Sequence, residues 1–227
     1  MRKLIEYDHL SIDGRFSGDD WWAAQMKVAP NDNHFDYQLR LLEQASGLVL
    51  GRVTYETFAA TWPAMTGDLA DKLNSLPKHV ASTTLTETTW NAEVLAGDAI
   101  DAVAQLKKSG DGTLVKYGNG PFSRALVEAG LLDELHLSIS PFVAGSGESL
   151  LSGISTTPMN LTGVTDIGNG PVVLAYSPSR YRAPRGWRPG QVRIYQLGWW
   201  PADAQPPRSR RYRPSAVPAG RGGASPD

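Results

Sequence analysis

The chain has 227 residues, 41% of them apolar, and its 22 Lys and Arg nearly cancel its 23 Asp and Glu. That length suits one domain with an appendage, and the apolar share suffices for a real core. With no cysteine, disulfides, zinc–thiolate sites and thiol nucleophiles are excluded, and no apolar run approaches the roughly 18 residues of a membrane span.

Residues 2–12 predict a first strand, with Leu4, Tyr7, Leu10 and Ile12 before an Asp13-Gly14 turn. Acids fall inside this first apolar stretch and no small-residue cleavage site follows, so a secretory signal is not expected and the cytoplasm is the expected compartment. Phe35, Leu39, Leu42 and Ser46 share one face of a helix leading to Leu48-Val49-Leu50, a run short enough for a buried strand. That strand stops at Gly51-Arg52. Tyr55, Phe58, Ala59 and Trp62 then fall at i, i+3, i+4 and i+7, with Thr54 as the expected cap and Pro63 as the stop. His79-Val80-Ala81-Ser82 reads as a short strand. Asp98 caps a helix with Ile100, Val103 and Ala104 inward, closed by Ser109-Gly110. Leu114–Tyr117 is a strand ending at Gly118-Asn119-Gly120-Pro121, and the next helix aligns Phe122, Ala125, Leu126 and Ala129 before Gly130. Leu135, Leu137 and Ile139 alternate with His136, Ser138 and Ser140, as expected of a strand half-buried or at a sheet margin. Segments 159–167 and 171–177 flank Gly168-Asn169-Gly170, a hairpin signal. Strands alternating with helices predict an α/β layered domain with a largely parallel sheet and a terminal antiparallel hairpin.

Ligands in such sheets sit beyond the carboxyl ends of the strands. Gly51-Arg52-Val53-Thr54 gathers free backbone N–H groups, a helix dipole, a hydroxyl and a guanidinium, which together suit an anion such as a cofactor phosphate. Ser82-Thr83-Thr84 and Gly118-Asn119-Gly120 end two further strands with compatible chemistry. The glycines serve equally well as turn formers at positive φ. Ser123 breaks a full G-x-G-x-x-G, so a standard Rossmann fingerprint is absent. The four histidines show no metal-ligand spacing, and no metal is expected.

Taken in order, Ser11–Gly14, Gly51–Glu56 with Trp62-Pro63, Lys78–Ser82, Gly118–Gly120, Leu126–Leu135, Pro141–Gly147 and Gly170–Tyr176 resemble the dihydrofolate reductase-like superfamily. The nearest likeness is to single-domain relatives of the reductase half of the riboflavin-biosynthesis deaminase–reductase. The resemblance covers roughly residues 2–178. It implies a three-layer fold, a mixed, mostly parallel sheet flanked by helices, and NADPH laid across the strand ends. It also implies that Gly51, Arg52 and Thr54 meet cofactor phosphate, that Ser82 and Thr83 lie near the adenosine ribose phosphate, and that Gly118, Asn119 and Gly120 form the pyrophosphate loop. Arg52 would favour NADPH over NADH. The implied reaction is hydride transfer to a C=N or C=O bond of a small pterin- or pyrimidine-like heterocycle. A catalytically idle nucleotide-binding or interaction protein of the same fold is the alternative.

Such a reduction needs a proton donor. Asp13 is a candidate, although Asp13-Gly14 is also good turn chemistry. Asp36 lies roughly where dihydrofolate reductases carry a substrate carboxylate, but its surroundings match poorly and a helix-surface role is preferred. Trp21 and Trp22 wall a planar substrate or pack as a lid. Arg15 and Lys27 are weighed as substrate-phosphate ligands against ordinary surface charges.

Residues 1–178 carry 12 Lys and Arg against 21 Asp and Glu, whereas 179–227 carry ten Arg, no Lys, two Asp and eight of the 16 prolines. This shift sets a boundary near Pro178 between a cofactor-binding domain (1–178) and a Pro/Arg-rich tail (179–227) expected to be disordered or loosely packed. The lack of lysine favours run-on translation over a nucleic-acid-binding arm. The resemblance also implies a homodimer, since such reductases pair through sheet edges; Leu135–Ser140 is the expected edge here, and unpaired edges need covering.

Overall fold

Each apolar run followed by a helical pattern becomes a strand–helix unit, and these units stack side by side. The computed structural model describes residues 1–28 and 33–179. In chain order the elements are β1 (Lys3–Ser11), α1 (Trp21–Val28), α2 (Asn33–Glu43), β2 (Ala45–Gly51), α3 (Arg52–Thr61) with a 3₁₀ turn (Trp62–Ala64), α4 (Asp68–Ser75), β3 (Lys78–Ala81), β4 (Ala92–Val94), α5 (Ala99–Lys108), β5 (Thr113–Tyr117), α6 (Pro121–Glu128), β6 (Glu134–Ser140), β7 (Met159–Asp166) and β8 (Val172–Pro178). The eight described strands form one sheet in the order β4-β3-β2-β5-β1-β6-β8-β7. From β4 to β6 all neighbours pair parallel; β8 runs antiparallel to both β6 and β7. This is the mixed, mostly parallel sheet with a terminal hairpin that the sequence predicts.

The period-two alternation of a strand divides its side chains between two helical layers. Leu48, Leu50, Val80 and Val115 join Leu42, Tyr55, Leu69 and Leu73 of α2, α3 and α4 on one face. Val49, Leu4, Leu114 and Leu135 join Val103, Leu126 and Val127 of α5 and α6 on the other. Strands covered on both faces read as continuous apolar runs, as Leu48-Val49-Leu50 does.

Several local readings change. Thr54 does not cap α3: Gly51 holds the cap position with extended backbone (φ −76, ψ 159) and no side-chain hydrogen bond, so Thr54 falls in the first turn. Ser46 belongs to β2 rather than α2. On α6, Ser123 and Val127 are buried and Ala129 is exposed. The strand at Leu135–Ser140 is not marginal, because β6 is paired with β1 on one side and β8 on the other. It offers no free edge, and dimerisation through it is ruled out by its own ladder. Its serines are inward: Ser138 and Ser140 are wholly buried, and the Ser138 hydroxyl meets His34 Nδ1 at 3.0 Å. No helix among the described residues is long and apolar enough to cross a membrane. The expectation for the tail lies outside the described residues from residue 180 onward.

Candidate functional site

Because β2, β3 and β5 are parallel neighbours or next-neighbours, Gly51, Ala81 and Tyr117 end on the same side of the sheet. Two cavities open there. One, of about 380 Å³, is lined by Arg52, Ser82, Thr83, Thr84, Asp98 and Phe122 among others. The second, of about 350 Å³, is lined by Asp8, His9, Trp21, Trp22, Thr54, Phe58, Tyr117, Gly118 and Asn119 among others. The first turn of α3 serves both, through Arg52 in one and Val53 and Thr54 in the other.

The first cavity is built to donate hydrogen bonds. Glycine at the cap of α3 leaves the first backbone N–H groups of that helix without a side-chain partner. The α6 helix repeats the device: Gly120 (φ 131) provides the cap without a side-chain bond, and proline stands in the first turn. Ser82 Oγ accepts from the backbone N of Thr84 (3.2 Å) and Leu85 (2.9 Å), so its own proton remains to be given. Arg52 is held by Glu56 one turn on, at 2.9 and 3.0 Å to the two carboxylate oxygens. Both partners are nearly half-exposed, at 45% and 46%. Such a surface pair is worth only about 0.3–0.5 kcal/mol, too little to withhold the guanidinium from a phosphate.

The second cavity has an aromatic wall and, beneath it, a buried ionisable layer that reaches the lining at Asp8 and His9. Glu6 and Asp8 project from one face of β1 and are both buried, at 0% and 6% exposure. Lys116 of β5, equally buried, places Nζ 3.2 Å from Glu6 Oε1 and donates to Ser123 Oγ at 2.7 Å and to the carbonyl of Gly118. Burial, with the neighbouring Glu6 charge, pushes the Asp8 carboxyl well above the usual carboxylate range, and Lys116 opposes this only in part. On the other face of β1, burial and then His34 push the His9 imidazole down to about 3, so it is neutral at physiological pH. Asp8 Oδ2, His9 Nδ1, Tyr117 OH and Asn119 Nδ2 are buried without a hydrogen-bond partner among the described residues, and all four residues line this one cavity. Buried polar atoms rarely stay unpaired. Four such atoms on the lining residues of one cavity mark it as a polar site.

The residues of this buried layer were not singled out from the sequence. The available signal is charge inside buried strands: Glu6 and Asp8 lie between Leu4 and Leu10, and Lys116 between Val115 and Tyr117. Charges there must pair or change protonation.

The residues chosen from the sequence fall into two groups. Arg52, Ser82 and Thr83 meet in the first cavity, and Thr54, Gly118, Asn119, Trp21 and Trp22 in the second, with Gly51 and Gly120 capping the flanking helices. Asp13 is corrected. Its carboxylate accepts the Ser11 hydroxyl at 2.6 Å and the backbone N–H groups of Ala144 and Gly145, both at 2.9 Å. The hydroxyl first, and then these amides, hold it at about 2. It is an ionised loop clasp with no proton to give. Trp21 is buried, its indole N–H donating to Arg15 O at 3.1 Å, while Trp22 is 64% exposed at the mouth. Arg15 is engaged with Gly147 O and Ser149 Oγ. Lys27 is exposed, and Asp36 is exposed beside a separate cavity next to Trp62 and Asp68.

A family model described as RibD C-terminal domain matches residues 3–173. Among curated proteins, Bacillus subtilis (strain 168) YyaP, described as uncharacterized, is 24% identical over 155 residues, spanning 66% of this chain and 80% of its own. A solved structure described as a riboflavin biosynthesis protein from Shewanella sp. PV-4 superposes with a TM-score of 0.62 at 23% identity, covering 78% of this chain and 99% of that one. A pyrimidine reductase-like protein from Corynebacterium diphtheriae gives 0.53 at 14% identity over 79% and 93%. The Thermotoga maritima diaminohydroxyphosphoribosylaminopyrimidine deaminase/5-amino-6-(5-phosphoribosylamino)uracil reductase gives 0.57 at 13%, over 78% of this chain and 57% of that one. At these identities the structural likenesses speak for the fold.

Proposed function

The chain belongs to the RibD C-terminal domain family, and from that premise we propose an NADPH-dependent reductase acting on a small planar heterocycle. The family and fold are those of reductases. Residues 1–178 are read as the catalytic domain and the remainder as an appendage. Bound NADPH supplies a hydride for a C=N or C=O bond. Arg52, Ser82 and Thr83 would hold its ribose phosphate, since a guanidinium beside two hydroxyls favours the extra phosphate over a bare ribose. Gly51, Thr54, Gly118, Asn119 and Gly120 would hold the pyrophosphate against two helix N-termini. Trp21, Trp22, Phe58 and Tyr117 would wall the substrate and exclude water.

The observation that carries this reading is the side-by-side arrangement of an anion-suited cavity and an aromatic cavity across one helix start. It provides room for a dinucleotide with a flat partner, in the volume range of ligand sites. The test is turnover, followed as NADPH oxidation, against pterin-like and pyrimidine-like carbonyl and imine compounds, with and without a phosphoribosyl group. Turnover of at least one class supports the reading. Saturable NADPH binding with no turnover would favour the idle nucleotide-binding alternative.

A further inference from the structure

We propose that Asp8 is the proton donor of this reduction, and that its substrate is an uncharged planar carbonyl or imine. The proposal rests on the reductase reading. Three ionisable groups share one buried pocket behind the crevice: Glu6 and Asp8 on β1 and Lys116 on β5. One ammonium balances one carboxylate. The 3.2 Å contact assigns that charge to Glu6, so the second carboxyl is neutral only by keeping its proton, as like charges at close range require. Burial acts in the same direction. Ser123 is the remaining polar group of this cluster, and it is taken up by Lys116.

Asp8 alone of the two carboxyls lines the cavity, while its Oδ2 is closed to solvent and has no hydrogen-bond partner at bonding distance among the described residues. By lining the cavity, the neutral carboxyl is within reach of whatever lies there. The step balances simply. A bound reduced nicotinamide would supply the hydride, with its electron pair, to the substrate carbon, being itself oxidised by two electrons. As the C=N or C=O π bond breaks, Asp8 gives its proton to the nitrogen or oxygen. Asp8 is left as carboxylate near Lys116, which shares its charge until solvent restores the proton.

The lining also limits the substrate. Among the described residues no Lys or Arg faces this cavity, and its histidine is neutral. Apart from the groups proposed to hold the pyrophosphate, the described lining offers no cation to an anionic substrate group beside Asp8.

The test uses the full chain with its aspartates labelled by ¹³C at the side-chain carboxyl. Asp8 is the one buried aspartate among the described residues. An isotope-shifted infrared band of a protonated carboxyl at pH 7 is expected in the wild type without cofactor or substrate, and its loss is expected in Asp8→Asn. This isosteric variant should keep its circular dichroism and NADPH affinity while kcat falls by about 10²–10⁴, the usual contribution of a positioned acid. Absence of the band in the wild type would overturn the proposal, as would turnover by folded Asp8→Asn within tenfold of wild type. A phosphoribosylated substrate preferred over its uncharged counterpart would overturn the substrate class. Failure of the wild type to turn over any compound would instead remove the reductase reading, and this proposal with it.

Discussion

The side chain of Thr54 occupies the space that a Cβ on Gly118 would need, so the start of α3 and the loop after β5 lock together at that point. Gly118 is also at φ 76, where L side chains are strained. Gly118→Ala should therefore destabilise by about 2–4 kcal/mol, combining overpacking with backbone strain, and should weaken cofactor binding. Gly51 is the contrast: its backbone is extended and a Cβ would meet nothing within 4 Å. Gly51→Ala should leave stability within about 0.5 kcal/mol yet crowd the proposed phosphate position. Chemical denaturation beside NADPH titration checks both.

Glu56 competes with any anion for Arg52. Arg52→Ala should reduce NADPH affinity while sparing NADH affinity. Glu56→Gln should raise NADPH affinity about twofold, the worth of the helical pair it removes. Neither should shift the melting temperature appreciably. An equal loss for both cofactors in Arg52→Ala would place that residue away from the 2′-phosphate.

Acid should destabilise the domain earlier than its carboxylates alone predict. The folded-state value of His9 is depressed to about 3 by burial, and that of His34 is lowered for the same reason. An unfolded histidine takes its proton near 6.5. Between those values the unfolded chain binds protons that the native one refuses, so stability is full above about 6.5 and falls as pH drops toward 3. The cost for His9 is on the order of a few kcal/mol by pH 3. His9→Gln should flatten the slope of stability against pH in that window. An unchanged slope would contradict the assignment.

The loop clasp at Asp13 leads to a different expectation. With its carboxylate spent on Ser11, Ala144 and Gly145, Asp13→Asn should keep most of the turnover, the opposite of Asp8→Asn. Kinetics of the two variants side by side separate a clasp from an acid.

Deleting residues 180–227 should leave NADPH binding intact and the melting temperature within about 5 °C. Both apolar clusters and all eight described strands lie within residues 1–178, and β8 is already paired on both sides. A larger fall in melting temperature would make the tail structural.

How much of this was legible in the sequence depended on whether a signal was local. The β2–α3 junction announced itself through Leu48–Leu50, Gly51 and the Tyr55/Phe58/Trp62 stripe, all within 15 residues. The α5 cap was equally plain, with Asp98 accepting from the backbone N of Ile100 and Asp101 as expected. The short α1, α4 and β4 gave little periodicity to read. Glu6 and Lys116 are separated by 110 positions, and nothing in either strand names its partner; only the adjacency of β1 and β5 does. Ser138 and Ser140 suggested a half-buried or marginal strand because alternation assigns polar residues to one face, yet both are buried and Ser138 meets His34. Asp13 looked catalytic because a carboxyl after a first strand suits an acid, and its loop partners lie more than 130 residues away.

Titration of the full chain with NADPH and with NADH, followed by calorimetry or by nucleotide fluorescence, tests the central claim most directly. The account predicts saturable binding of both, tighter for NADPH, with the preference lost in Arg52→Ala. Absence of saturable binding by either nucleotide would contradict it.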